Sequence, residues 1–145
     1  MADKHILTVR GRYSNVHTIC EFVVDGARVA GLDDGDVFHV ELACDEACTN
    51  IIEHAYGGED KGDIEVHWWV NGDYFSVGLY DNGRSFNPDN IHPPIFDQFS
   101  AEEPDELEIG GLGLHFMRTL MDEVRYSSDP AKGNSLIMTK QLRDG

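Results

Sequence analysis

The stretch Asp63–Val70 most constrains what this chain can become. Ile64, Val66, Trp68 and Val70 alternate with polar or aromatic neighbours, the pattern of a half-buried strand. Asn71-Gly72 follows as a hairpin-turn signal, and Tyr74–Tyr80 returns as a second strand. An antiparallel pair with one apolar face needs a cover, and two earlier stretches offer one. Val16, Ile19, Cys20, Val23, Val24 and Ala27 keep a helical period from Tyr13 to about Ala30, with Ser14 as the expected N-cap. Val40, Cys44, Ala47, Cys48, Ile51, Ile52 and Ala55 do the same from a cap at Asp34 or Asp36 to about Tyr56, where Gly57-Gly58 ends the helix.

The rest extends the pattern. His5–Arg10 reads as a first strand. Leu112 to about Asp122 reads as a third helix. Glu123–Tyr126 and Ser135–Leu142 read as two more strands around the turn Pro130–Gly133. Between them, Asn87 to Gly113 is rich in proline and acidic residues and suits no long regular element, except one turn at Ile95–Phe99. A loop of that length in a compact domain is usually functional, often a lid. The order β-α-α-β-β-loop-α-β-β predicts an α+β fold: one domain over residues 1–145, a two-layer sandwich whose mixed, mostly antiparallel sheet carries helices on one face.

Charge narrows the function. Asp plus Glu number 27 against 11 Lys plus Arg, a net charge of −16 that repels a phosphate backbone and argues against nucleic acid as a partner. Its simplest use is solubility; a sharper one is an acidic face for a basic protein. The odd cysteine count (Cys20, Cys44, Cys48) and the lack of a visible signal peptide argue against a disulfide framework. Cys44 and Cys48 fall on the apolar stripe with no second ligand pair, so they read as buried thiols and not as a metal clip. No apolar run is long enough to span a membrane, and a cytoplasmic location is the default expectation.

Three features sit awkwardly in a purely structural account. Glu46 and Asn50 stack one helical turn apart on the flank of the apolar stripe; either they face solvent or they line a pocket. Asp81-Asn-Gly83 ends a strand; it is either another turn, or an acceptor for the exocyclic amine of a flat heterocycle with a glycine that lets the ring approach. Gly110-Gly111-Leu112-Gly113-Leu114 opens a helix; it is either a hinge or a phosphate site made of exposed N–H groups and the helix dipole. It matches neither a Rossmann fingerprint nor a P-loop, and the chain has no His-Arg-Asp kinase catalytic loop. Together the three make a nucleotide site. An Asn carbonyl suits Mg²⁺, and a Glu one turn earlier suits a general base. Phosphoryl transfer needs positioning and charge neutralisation more than covalent help.

At these residues the chain resembles a known superfamily. The helix Glu46-x-x-x-Asn50 ending in His54-Ala-Tyr56 is similar to the N box of the GHKL (Bergerat-fold) ATPases and kinases. Asp81-x-Gly83 resembles their G1 box, and Gly111-Leu-Gly113-Leu their G2 box. The run Gly111–Val124 and the closing Lys132–Lys140 resemble the bacterial anti-sigma factor serine-protein kinases. That resemblance implies an ATP site with Glu46 as catalytic base and Asn50 as Mg²⁺ ligand. It places Asp81 on the adenine amine, Gly83 beside the ring, and Gly111, Leu112, Gly113 and Leu114 at the phosphates under an ATP lid at about 87–110. It further implies a homodimer that sequesters a sigma factor and phosphorylates a serine of an anti-sigma factor antagonist. Two departures stand out. Ser85 and Asn87 replace a proline and an aspartate frequent after the G1 glycine, and the lid has no Lys or Arg between Arg84 and Arg118. The competing class is a non-catalytic ATP-binding module that holds its partner stoichiometrically. A histidine-kinase ATP domain is a third reading, but no phospho-accepting helical hairpin accompanies it.

Overall fold

The structure, a computed structural model, describes residues 4–84 and 113–142. Strand β1 (His5–Arg10) leads through Gly11-Arg12 into helix α1 (Tyr13–Ala30). Helix α2 (Asp34–Asn50) runs directly into a π-helical turn (Ile51–Ala55). Then come β2 (Asp63–Asn71), β3 (Tyr74–Asp81), α3 (Gly113–Leu120), β4 (Glu123–Asp129) and β5 (Gly133–Gln141). The sheet order is β1-β2-β3-β5-β4, and each of its four pairings is antiparallel. The expected α+β architecture is therefore present, with no parallel pair among the described strands.

Period-2 patterning sets the layers. Val66, Leu79, Leu136 and Tyr126 lie side by side across β2, β3, β5 and β4; Trp68, Val77, Met138 and Val124 form the next row. These rows face α1 and α2, whose Ile19, Val23, Val40, Ala43, Cys44 and Ala47 are fully or almost fully buried. Each fully buried Val, Leu or Ile contributes roughly 1.5–3 kcal/mol. Helix α1 comes so close to the sheet that a Cβ on Gly26 would lie 2.4 Å from the Trp68 ring. The three cysteines are free and buried. No described helix is long and apolar enough to cross a membrane.

Helix boundaries follow the sequence, but their caps do not. Arg12, not Ser14, occupies the N-cap of α1 and gives no side-chain cap. Glu59 instead accepts the Tyr13 N–H at 2.8 Å. On α2 the cap is Asp33, which accepts from the Asp36 N–H at 2.8 Å. The expected caps are engaged elsewhere: Asp34 with Arg28 at 3.2 Å, and Asp36 with Lys140 at 3.6 Å. The hairpin loop is Gly72-Asp73, one residue later than Asn71-Gly72, because Asn71 still pairs with Tyr74. Positive φ at Gly72 alone suits a II′ turn.

Helix α2 does not stay α-helical to Tyr56. The Tyr56 N–H reaches back five residues to Ile51 O at 3.0 Å. One wide turn thus follows Asn50 directly, and such turns occur frequently at functional sites.

Candidate functional site

Two of the expected residues are brought together at one end of the core. Asn50 ends α2 and Asp81 ends β3, and both line a narrow cleft with Met117, Tyr126 and Leu136. They are 4% and 5% exposed, unusual for polar side chains. Asn50 Oδ1 has no hydrogen-bond partner among the described residues. A buried acceptor left unpaired costs about 1–3 kcal/mol, so this oxygen is built for something other than packing.

Asp81 is held firmly. Its Oδ1 accepts from the Gly83 N–H at 2.9 Å and from Asn134 Nδ2 at 2.8 Å. Burial raises its carboxyl above the ordinary value of 3.8, and those two donors oppose the rise. Asn134 was not among the residues the sequence pointed to. It lies directly opposite Asp81 in the β3–β5 register, and Ser128 lies opposite Asn134 on β4. Ile64, Asp81, Asn134 and Ser128 thus make the row that caps the apolar rows of the core.

Glycines close this corner. Gly133 has φ of 95°, and a Cβ there would sit 2.4 Å from Asp81 O. Gly83 has a different reason to be glycine from ring access alone: its Cβ would lie 2.5 Å from Ala55 O. The segment after β3 packs on the end of the π turn, where the Arg84 N–H donates to Ala55 O and Arg84 Nε to His54 O, both at 2.9 Å. The Tyr56 hydroxyl adds a bridge, donating to Asp63 O at 2.5 Å and accepting from the Asn82 N–H at 3.0 Å.

Glu46 lies one turn before Asn50, half-buried, and does not line the cleft itself. Burial holds its carboxyl above the ordinary value of 4.5, and Asp45 and Glu53 push the same way. A carboxylate kept from easy ionisation is a better proton acceptor at neutral pH than an exposed one. Gly113 opens α3, Leu114 lies in its first turn, and Met117 of that helix reaches the cleft beside Asn50. Gly111, Leu112, the expected lid at 87–110 and the turn at Ile95–Phe99 lie outside the described residues.

No cluster of three His, Cys, Asp or Glu able to hold a metal exists among the described residues. The orphaned Asn50 carbonyl nevertheless fits a hard cation that takes one protein oxygen and fills its shell with water and phosphate.

Residues 9–140 match the family described as the histidine kinase-like ATPase domain. Over 115 residues the chain is 36% identical to a serine-protein kinase RsbW of Listeria monocytogenes, covering 79% of this chain and 72% of that one. The chain belongs to the histidine kinase-like ATPase family, alongside the RsbW serine-protein kinases. RsbW of Bacillus velezensis is 39% identical and that of Bacillus subtilis 36%, each over 107 residues, 74% of this chain. The chain spans 66% of the length of these two Bacillus relatives. Among solved structures, one of the RsbU and RsbW domains of a Mycobacterium tuberculosis protein shares the fold, with a TM-score of 0.68 at 19% identity, over 99% of this chain and 33% of that one. An ATPase domain of this family uses ATP.

Proposed function

We propose that this chain is an ATP-dependent protein-serine kinase of a bacterial partner switch. It acts as an anti-sigma regulatory factor that sequesters a sigma factor and phosphorylates a serine of an anti-sigma factor antagonist. The observation that carries the reading is the buried Asn50 Oδ1, without a hydrogen-bond partner among the described residues, in the same cleft as the clamped Asp81 carboxylate. The kinase names of the RsbW relatives support it.

Each residue then has a task. Asp81 accepts from the exocyclic amine of adenine on Oδ2, the oxygen that Gly83 and Asn134 leave to it. Gly83 keeps the segment beside the ring flat against Ala55. Asn50 Oδ1 would hold Mg²⁺, which would supply neutralisation of phosphate charge. On the family resemblance, Gly111, Leu112, Gly113 and Leu114 present N–H groups to the phosphates under a lid at 87–110. Glu46 takes the proton of the serine hydroxyl as its oxygen bonds to the γ-phosphorus and the bond to ADP breaks. The working form is a cytoplasmic homodimer of a single domain, a part of the proposal that rests on family resemblance.

The test is incubation with Mg-ATP and a candidate antagonist. The expected result is phosphoserine on the antagonist with wild type and none with Glu46→Gln. ATP binding without any transfer by wild type would leave the chain a non-catalytic holding module and overturn the kinase reading.

A further inference from the structure

We propose that Asn134 is a specificity-determining positioning residue: by holding Asp81 Oδ1 it fixes Asp81 as a pure acceptor and sets the preference for a 6-amino over a 6-oxo purine. The inference rests on the reading of Asp81 as the base-recognising group and deepens it.

Asn134 is 3% exposed, and its Nδ2 faces three acceptors: Asp81 Oδ1 at 2.8 Å, Arg84 O at 3.1 Å and Gly83 O at 3.3 Å. An amide nitrogen carries two hydrogens, so one of them is shared between two acceptors. The amide cannot flip. Its Oδ1 accepts from Ser128 Oγ at 2.8 Å, and reversal would turn an acceptor toward three other acceptors. The donor toward Asp81 is therefore fixed from behind.

The consequence falls on Asp81. Two N–H donors meet on Oδ1, so the carboxylate can neither rotate freely nor carry a proton on that oxygen. What it offers the cleft is an acceptor. Adenine presents an N–H to such a group. Hypoxanthine and guanine present a carbonyl oxygen at the same position, and two acceptors repel. Burial pulls the other way, toward a protonated carboxyl that could donate to that carbonyl. The hydrogen bond from Asn134 opposes that pull and favours the acceptor form. The same amide also ties Gly83 and Arg84 to β5, so the reading group and the segment beside the base move as one piece.

The experiment is calorimetric titration with Mg-ADP and Mg-IDP on wild type, Asp81→Asn, Asn134→Ala and Ser128→Ala, with melting temperatures measured alongside. Wild type is expected to prefer ADP. Asn134→Ala is expected to bind ADP about tenfold more weakly, as for loss of one hydrogen bond to a charged group, and to lose most of its preference over IDP. Ser128→Ala loosens the amide from the edge strand without removing the donor, and is expected to shift the ratio the same way by less. An Asn134→Ala protein that weakens for ADP and IDP equally has lost only structure, and one that keeps affinity and ratio has lost nothing; either overturns the proposal. If Asn134→Ala does not fold, Ser128→Ala decides alone, and an unchanged ratio overturns it. Failure of the underlying reading looks different: wild type without ADP binding, or Asp81→Asn binding as well as wild type, removes Asp81 itself from base recognition.

Discussion

Lys140 Nζ lies 3.6 Å from Asp36 Oδ1 and donates to Leu120 O at 2.5 Å, with both charged side chains more than nine-tenths buried. One ammonium from the central part of the sheet thus joins the first turn of α2 to the last residue of α3. These are the two helices that supply Asn50 and Met117 to the cleft. Removing Lys140 takes the compensating ammonium away from buried Asp36, with His39 Nδ1 still 3.9 Å from its carboxylate. Lys140→Met is expected to cost about 3 kcal/mol in urea denaturation, with part regained in the Asp36→Asn/Lys140→Met double variant. A single-variant loss comparable to that of an exposed pair, under about 1 kcal/mol, would show that the pair does not brace the helices.

Gly83 separates two reasons for a glycine. If it served ring access alone, Gly83→Ala would weaken ADP binding and leave the unliganded protein's stability untouched. The 2.5 Å approach to a backbone oxygen predicts otherwise, because Ala55 O cannot swing away as a side-chain tip would. Gly83→Ala is expected to lower unfolding free energy by roughly 1–3 kcal/mol as well as ADP affinity. Thermal melting of the unliganded protein reads the first effect and calorimetry the second.

The elements that were legible in the sequence are those whose signal is local. Alternation in Asp63–Val70 and the helical period from Tyr13 to Ala30 each needs only its own neighbours, and both match the structure nearly residue for residue. Asn50 and Asp81 stood out because a polar residue among apolar periodic ones is a local anomaly. The cap of α2 was expected at Asp34 or Asp36 and lies at Asp33, because three aspartates compete there and long-range partners engage the other two, Arg28 on Asp34 and Lys140 on Asp36. The π turn was illegible because five residues do not separate its period from that of an α-helix. Asn134 was missed for a different reason: it shares the buried face with Leu136 and Met138 only once β5 is extended back to Gly133, and its pairing with Asp81 depends on the register of β5 against β3, which no local pattern carries.

Acid should act on the free protein and on nucleotide binding with opposite signs. Asp81 and Glu46 both have carboxyls raised above their ordinary values of 3.8 and 4.5, chiefly by burial. A raised carboxyl means the folded state binds the proton more tightly than the unfolded one. These two groups therefore favour the folded state below their ordinary values, and that contribution is lost as pH rises through the raised ones. ADP recognition needs ionised Asp81 and falls as pH drops through the same window. Calorimetric titration as pH is lowered from neutrality toward the ordinary carboxylate range is expected to show weakening ADP affinity in wild type. The trend should be absent from any residual binding by Asp81→Asn. Affinity flat over that range in wild type would separate Asp81 ionisation from recognition.

Asn50 allows structure and function to be set against each other. A buried side chain selected for stability loses stability when replaced. Asn50 Oδ1 has no partner among the described residues, so the free protein gives up nothing there and relieves a desolvated acceptor. Asn50→Leu keeps the branched shape at a larger volume and removes the polar atoms. It is expected to leave the melting temperature unchanged or raise it, by up to about 1 kcal/mol of stability. The same variant is expected to abolish the gain in ADP affinity that Mg²⁺ provides, because the cation loses its protein oxygen. Titrations with and without Mg²⁺ against a melting curve make the comparison. A variant that melts well below wild type while keeping the Mg²⁺ effect would assign Asn50 to packing and return the metal to other oxygens.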